Sequence, residues 1–173
     1  MPEEEFELIS RLKKDDKDAF SQLYGKHRLQ VFRAAYLILG NREQAEDIMQ
    51  ESFFKLWTNR RKIREGPVLP WLLKVATNAS LSLFRKRREY PLEEIPFPES
   101  GKDNPEEALI FKEILQGLSK LPKRQRAVLA FRLVFEYSEE ETAKILGIPR
   151  GTVRSNLFKA KENLRKRINE QGF

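Results

Sequence analysis

The chain contains no cysteine and only one histidine, His27, in 173 residues. Disulfide frameworks, zinc ribbons and thiol redox chemistry are therefore excluded. A carboxylate-only metal site has no motif to support it, and no cofactor is expected. Long apolar runs are also missing. No stretch reaches the roughly 18 uninterrupted apolar residues of a membrane span, so no direct membrane insertion is expected. The acidic opening PEEEFE has the wrong charge for a signal or transit peptide. With 8 Gly and 9 Pro, the breakers are too sparse for a disordered or collagen-like chain. Strand-type alternation is not strongly signalled and no internal repeat is evident. What remains predicts a cytoplasmic, all-α protein.

What the chain does have is positive charge and helical periodicity. A net charge of +7 and a pI near 9.6 favour a polyanionic partner. The most informative stretch is Tyr137 to Ile168. Ser138 is an N-cap and Glu141, three residues on, completes a capping box. Ala143 and Leu146 form one apolar stripe, and Gly147 stops the helix where a left-handed residue is needed. A second helix opens at Pro149 or Arg150, with Val153, Leu157, Ala160, Leu164 and Ile168 at helical spacing. At about 100° per residue, Gly151, Thr152, Ser155 and Lys159 project opposite that stripe, flanked by Arg154 and Asn156. Small residue, glycine corner and β-branched residue, in that order, suit a helix-turn-helix whose second helix enters the major groove. The plainer reading is an αα-hairpin with a solvated basic face.

Earlier in the chain, Phe6, Ile9 and Leu12 predict a short helix ending at KKDDKD. Ala19 to Leu39 predict a long amphipathic helix closed by Gly40. His27 lies within it without a second imidazole and is read as structural or surface. Asn41 is a plausible cap, with Gln44 as its partner, for the helix that follows. There Ala45, Ile48, Met49, Ser52, Phe53 and Leu56 face inward. The opposite side carries Glu43, Asp47, Gln50, Glu51 and an aromatic, Phe54. Early acids suit the helix dipole, but an acidic face bearing an aromatic on a basic chain also suits protein docking. A basic loop with Gly66, Pro67 and Pro70 leads into WLLKVATNASLSLFRKRR. Leu72, Val75, Ala76, Ala79 and Leu83 are its expected core stripe. Trp71, Lys74, Asn78 and Arg85 fall near one line, and Lys86, Arg87 and Arg88 finish the helix. Cations hold phosphates, Asn can read a base edge and a ring can stack on an unstacked base. Alternatively, Trp71 is core and the cations cap the helix.

From Glu89 to Glu107 the composition turns Pro-rich and acidic, which predicts an extended linker. The expected organisation is a helical domain over 1–88, a linker over 89–107 and a second helical domain over 108–173. The last opens with Ala108, Leu109, Phe111, Ile114, Leu115, Leu118 and Leu121. Pro122 then starts KRQRAVLAFRLVF, ahead of the helix-turn-helix.

In this order the segments resemble a bacterial sigma factor of the extracytoplasmic-function group. The first half carries DAFSQLYGKHRLQVFRAAYLILGNREQAEDIMQESFFKLW and PWLLKVATNASLSLFRKRR. The second carries LPKRQRAVLAFRLVFEYSEEETAKILGIPRGTVRSNLFKAKENLRKRI. The resemblance implies a subunit that directs core RNA polymerase to promoter DNA. It places Asp47, Gln50, Glu51 and Phe54 on the clamp helices of the β′ subunit. It puts Trp71, Lys74 and Asn78 near a flipped base of the minus-ten element, with Arg85, Lys86, Arg87 and Arg88 on the backbone. It assigns Arg150, Thr152, Arg154, Ser155 and Lys159 to the minus-thirty-five element. The acidic linker takes the place of the segment that threads toward the RNA exit channel. An inhibitory anti-sigma protein is a further implied partner. Asn156 stands where the family commonly has Arg, and Ser82 where Asp is usual.

Two other readings compete. A dimeric helix-turn-helix regulator would account for Ser138 to Lys159 but not for the acidic helix or the surface from Trp71 to Arg88. A helical nucleic-acid enzyme would need Glu43, Glu46, Asp47 and Glu51 as metal ligands. Helical projection turns Glu46 away from the other three, and no phosphate-binding loop accompanies them.

Overall fold

A computed structural model of the chain describes residues 2–64, 66–86, 117–118 and 120–170. The expected linker and the apolar residues Ala108 to Leu115 lie outside them. Among the described residues there are seven α-helices and no strand: α1 (Pro2–Lys13), α2 (Lys17–Leu39), α3 (Arg42–Asn59), α4 (Leu69–Lys86), α5 (Lys123–Leu129), α6 (Glu139–Leu146) and α7 (Arg150–Glu170). A 3-10 turn at Arg60–Lys62 follows α3, and α5 runs on into a π-helical turn at Ala130–Val134.

The local signals act where the sequence puts them. Asp16 opens α2 by accepting the N–H groups of Asp18 and Ala19 at 2.8 and 3.2 Å. Gly40, at φ 67°, closes it by donating to the Tyr36 carbonyl at 2.8 Å. Asn41 then caps α3 by accepting the Gln44 N–H at 2.9 Å. In α3 the buried set is Ala45, Ile48, Met49, Ser52, Phe53 and Leu56, as the periodicity predicts.

The centre of the molecule is the last third of α2, where every residue from Ala34 to Leu39 is buried. A helix apolar on all sides has to be covered on all sides. α3 and α4 pack along α2 on one side, and the second block packs on it from another. Ala34 and Ile38 of α2 and Leu73 of α4 share one core with Ala127, Val128 and Phe131, with Ile145 and Leu146 of α6, and with Val153 of α7. The two helical blocks are thus packed against each other.

One charged side chain is built into this contact. Arg126 of α5 is 4% exposed and donates to the Ile38 carbonyl at 2.7 Å and the Leu121 carbonyl at 3.3 Å. Burial pushes its pKa down to about 10, so it remains charged at neutral pH. The last turn of α2 contains no basic residue of its own. Arg126 supplies, from the other block, the cation that the carbonyl end of a helix favours.

The packing corrects the stripe expected for α4. Leu72 and Ala76 are buried as expected, but Val75, Ala79 and Leu83 are only half-buried, while Leu73, Thr77 and Ser80 are fully buried. The first block covers one flank of α4, and the second block covers the other through Leu73 and Leu81. A helix clasped from two sides has a wider buried arc than a single amphipathic stripe.

A second polar tie holds α1. Glu5, 9% exposed, accepts the Val68 N–H at 3.0 Å and lies 3.1 Å from Lys26 Nζ and 3.2 Å from His27 Nε2. His27 is itself 4% exposed, which settles it as structural. Burial alone would raise the Glu5 pKa, but the Val68 N–H, Lys26 and His27 outweigh it and hold the carboxyl below its ordinary value.

Two expectations follow. Arg126→Ala strips the α2 terminus of its cation and opens the seam between the blocks. Urea unfolding should show a loss of about 2–4 kcal/mol, and a loss below about 0.5 kcal/mol, the size of an ordinary surface effect, would contradict the assignment. The Glu5 carboxyl, depressed in the fold, contributes stability that is fully present above the ordinary glutamate pKa and disappears as pH falls through the folded value. Glu5→Gln should therefore lose stability at neutral pH and flatten the acid limb of the stability–pH curve. An unchanged acid limb would show that Glu5 does not carry that dependence.

Candidate polymerase and nucleic-acid surfaces

The five residues on the outer face of α3 are all exposed: Glu43, Asp47, Gln50, Glu51 and Phe54. Phe54 stands out at 66% exposure, a large ring that a folded core would ordinarily take in. The structure divides this face between two flanks. Asp47 and Glu51 lean toward α4, where they line a cleft of about 650 Å³ whose far wall includes Asn78, Ala79 and Ser82. Glu51 also pairs with Lys55 at 2.6 Å. Gln50 and Phe54 lean toward α2 and border an apolar groove of about 510 Å³ with Phe20, Tyr24, Phe53 and Trp57. Edge-to-face packing of Phe20 on Trp57 and of Tyr24 on Phe53, with centroids 5.5 and 4.8 Å apart, forms its wall. Sequence reasoning missed this aromatic wall. Phe20, Tyr24 and Trp57 sit at the edges of their helix stripes, where half-burial looks like core.

On α4, Lys74 and Asn78 are exposed and share a face with Trp71. Trp71 is half-buried and packs against a core to which both blocks contribute. It is therefore partly core, with the rest of its surface open beside Lys74. Asn78 also lines a smaller cleft of about 280 Å³ together with Leu81, Arg124, Gly147 and Ile148. The turn of the helix-turn-helix thus lies across from the exposed face of α4. The backbone of Arg85 and Lys86 is helical, but their side chains, and Arg87 and Arg88 altogether, lie outside the described residues.

The helix-turn-helix forms as predicted. Ser138 Oγ accepts the Glu141 N–H at 3.2 Å and Glu141 Oε2 accepts the Ser138 N–H at 2.8 Å, closing the capping box. Gly147 takes the corner at φ 65° and α7 starts at Arg150. Val153 and Ala160 are fully buried in a helix that packs on α5 and α6, while Leu157 and Leu164 are half-buried. The outward residues Gly151, Ser155 and Lys159 are exposed, and Thr152 is half-exposed. Asn156 turns back along the helix, donating to the Thr152 carbonyl at 2.8 Å.

Arg150 and Arg154, two of the residues expected to meet DNA, are not loose. Both reach Glu139 Oε2 of α6, at 3.1 and 3.0 Å. Arg154 and then Arg150 hold the Glu139 carboxyl below its ordinary pKa, and Glu139 raises that of Arg154. This cross-helix fork aims both guanidinium groups from the same edge of the hairpin. Sequence reasoning also missed Phe158, 66% exposed and one turn beyond Arg154 on the same face. An outward ring on a recognition helix can pack on a thymine methyl. Its signal was available, since the position falls outside the apolar stripe. Among the described residues, no three His, Cys, Asp or Glu side chains are grouped to hold a metal ion. No helix among them is long and apolar enough to cross a membrane.

Comparison with known proteins places these surfaces in context. Residues 23–90 match the family description Sigma-70 region 2, and residues 111–164 match Sigma-70, region 4. The ECF RNA polymerase sigma factor SigW of Bacillus subtilis (strain 168) is 31% identical over 183 aligned positions, covering 94% of this chain and 95% of that protein. SigM of Mycobacterium tuberculosis (strain H37Rv) is 30% identical, covering 91% and 81%. The fold is similar to that of CnrH in complex with the cytosolic domain of CnrY, with a TM-score of 0.72, 20% identity and coverage of 96% and 97%. It is also similar to the sigma factor RpoE bound to the anti-sigma factor NepR from Bartonella quintana, with a TM-score of 0.70, 21% identity and coverage of 90% and 98%.

The capping box gives a direct check on how the hairpin is held. Ser138→Ala removes the acceptor for the Glu141 N–H and should cost about 1 kcal/mol in urea unfolding. No measurable change would mean that the α6 terminus is fixed by packing alone.

Proposed function

Because the chain belongs to the extracytoplasmic-function group of RNA polymerase sigma factors, we propose that its function is divided among three surfaces. It directs core RNA polymerase to promoters. Asp47, Gln50, Glu51 and Phe54 of α3 dock on the β′ clamp helices. Trp71, Lys74 and Asn78 of α4, with Arg85 to Arg88, capture the opened minus-ten strand. Arg150, Thr152, Arg154, Ser155 and Lys159 of α7, joined by Phe158, read the minus-thirty-five duplex. The first two tasks belong to residues 1–88 and the last to 108–173, with 89–107 setting their separation. No catalytic role is assigned to any residue.

The observation that carries this reading is the coexistence of an acidic face bearing an exposed phenylalanine with basic, amide-bearing faces on other helices of a +7 chain. A duplex-binding regulator needs the helix-turn-helix but gives no role to the exposed Phe54 or to the open stripe of Lys74 and Asn78. The fork of Arg150 and Arg154 on Glu139 supports base reading, since an oriented guanidinium sacrifices less freedom when it binds a guanine edge. In the packed arrangement Asn78 faces the helix-turn-helix corner across a shared cleft, so strand capture requires the blocks to part there. Both fold relatives named above are held by a second protein, which supports control of this chain by an anti-sigma partner in the cytoplasm. The exposed α3 face and the seam between the blocks are the surfaces it would occupy.

The decisive test is a double dissociation with purified core polymerase. Phe54→Ala should weaken core binding by about tenfold or more, as expected for an exposed aromatic anchor, while leaving binding of the free chain to upstream duplex unchanged. Asn78→Ala should leave core affinity intact and reduce permanganate reactivity of unpaired promoter thymines, the signature of the open complex. Equal loss of both properties in both variants would refute the division of labour.

A further inference from the structure

The connection between α3 and α4 is held at both ends by carboxylates of the first helical hairpin. At its start, the Asp15 carboxylate lies between two arginines. Arg60 pairs with Oδ1, and Arg61 Nη2 reaches Oδ2 at 2.8 Å. Asp15 occupies the turn between α1 and α2 at φ 68°, a left-handed conformation that Asp tolerates better than most residues. Arg60 is engaged on every side: its guanidinium lies 4.3 Å over the Trp57 ring and its Nη1 donates to the Trp57 carbonyl at 2.6 Å. It is thereby a structural arginine rather than one free for phosphate. At the far end, Glu5 accepts the N–H of Val68. The Val68 carbonyl in turn accepts the Leu72 N–H at 3.0 Å, the first bond of α4. Glu5 thus fixes the residue from which α4 begins.

A buried carboxylate is an inefficient way to stabilise a fold, because its desolvation offsets much of what its partners return. What it adds is direction. Apolar packing of Ile9 and Leu12 would hold α1 in place without setting the height or rotation of α4. A charge-assisted bond to one backbone N–H is directional and pins the residue from which α4 begins. Three residues beyond Val68 stands Trp71, with Lys74 one turn further.

We propose that Glu5 and Asp15 are positioning residues for minus-ten strand capture. α1 and the turn that follows it work as a clamp that fixes both ends of the α3–α4 connection and hence the placement of Trp71 and Lys74. The inference rests on the assignment of α4 to strand capture, and it assigns a part in promoter opening to α1, a helix that is acidic over its first half.

The test uses holoenzyme reconstituted from the full chain and core polymerase. The probe is a labelled single-stranded oligonucleotide carrying the non-template minus-ten sequence of a promoter mapped with that holoenzyme, together with its single-base variants. Asp15→Ala, at an exposed position, and Glu5→Leu should each reduce discrimination between preferred and disfavoured bases by about tenfold, the order expected for one lost charge-assisted bond. Glu5→Gln keeps an acceptor for the Val68 N–H and should retain most of the discrimination. Core affinity and upstream duplex binding should stay within about twofold of the unsubstituted chain in all three, which a merely weakened fold would not allow. The clamp is overturned if Asp15→Ala and Glu5→Leu discriminate normally, or if discrimination falls only in step with core affinity. Trp71→Ala separates the two levels of the argument. If it loses discrimination while the clamp variants keep it, the clamp alone fails. If it too discriminates normally, the assignment of α4 to the minus-ten strand fails, and the clamp with it.

Discussion

Everything else in this structure is arranged around the contact of the second helical block with α2 and α4. Ala34 and Ala127 are small enough to let the helices approach, and Ile38, Leu73, Val128 and Phe131 fill the space between them. Most of this contact is apolar and therefore without direction. The exception is Arg126, whose guanidinium ends on the Ile38 carbonyl. A buried cation facing a helix terminus tolerates little misplacement, so it fixes how the blocks meet as well as how strongly. A charged group at such a seam also makes a seam that can open, since Arg126 regains full hydration when the blocks part.

α4 feels this arrangement most. One flank lies on the first block, another on the second, and the remainder carries Lys74 and Asn78 into solvent. Its start is set by Glu5 and its exposed side looks toward the corner at Gly147. The helix proposed to take up an opened DNA strand is also the helix that the second block closes on. Taking up a strand there displaces a contact the free protein already makes, which ties promoter engagement to rearrangement within the chain. At α7, by contrast, the arginines proposed to read bases are already aimed by Glu139 before DNA arrives.

Features decided by neighbouring residues were legible in the sequence. The capping box at Ser138 and Glu141, the left-handed glycines at 40 and 147 and the six inward residues of α3 depend on spacings of a few residues, and all are present. Features decided by the packing of distant segments were not. Nothing near Arg126 distinguishes it from Lys123 or Arg124 in the run KRQR; only its partner 88 residues away does. Glu5 sits in an acidic opening that reads as solvated, yet it binds a backbone group 63 residues on. The buried arc of α4 is wider than its periodicity indicates, because periodicity assumes one buried side and the second block adds another. In the candidate site, the exposure of Lys74, Asn78, Ser155 and Lys159 followed from periodicity. The aromatic groove beside Phe54 and the fork at Glu139 arise only when helices meet.

In the proposed function, this one chain gives polymerase its promoter choice through two separate DNA elements. The most direct measurement is to map transcript starts made from genomic DNA by core RNA polymerase with and without the purified chain. Discrete new starts are expected, each preceded by two sequence elements at a fixed separation. Starts that do not change on adding the chain, together with no binding to core polymerase, would contradict the proposed function.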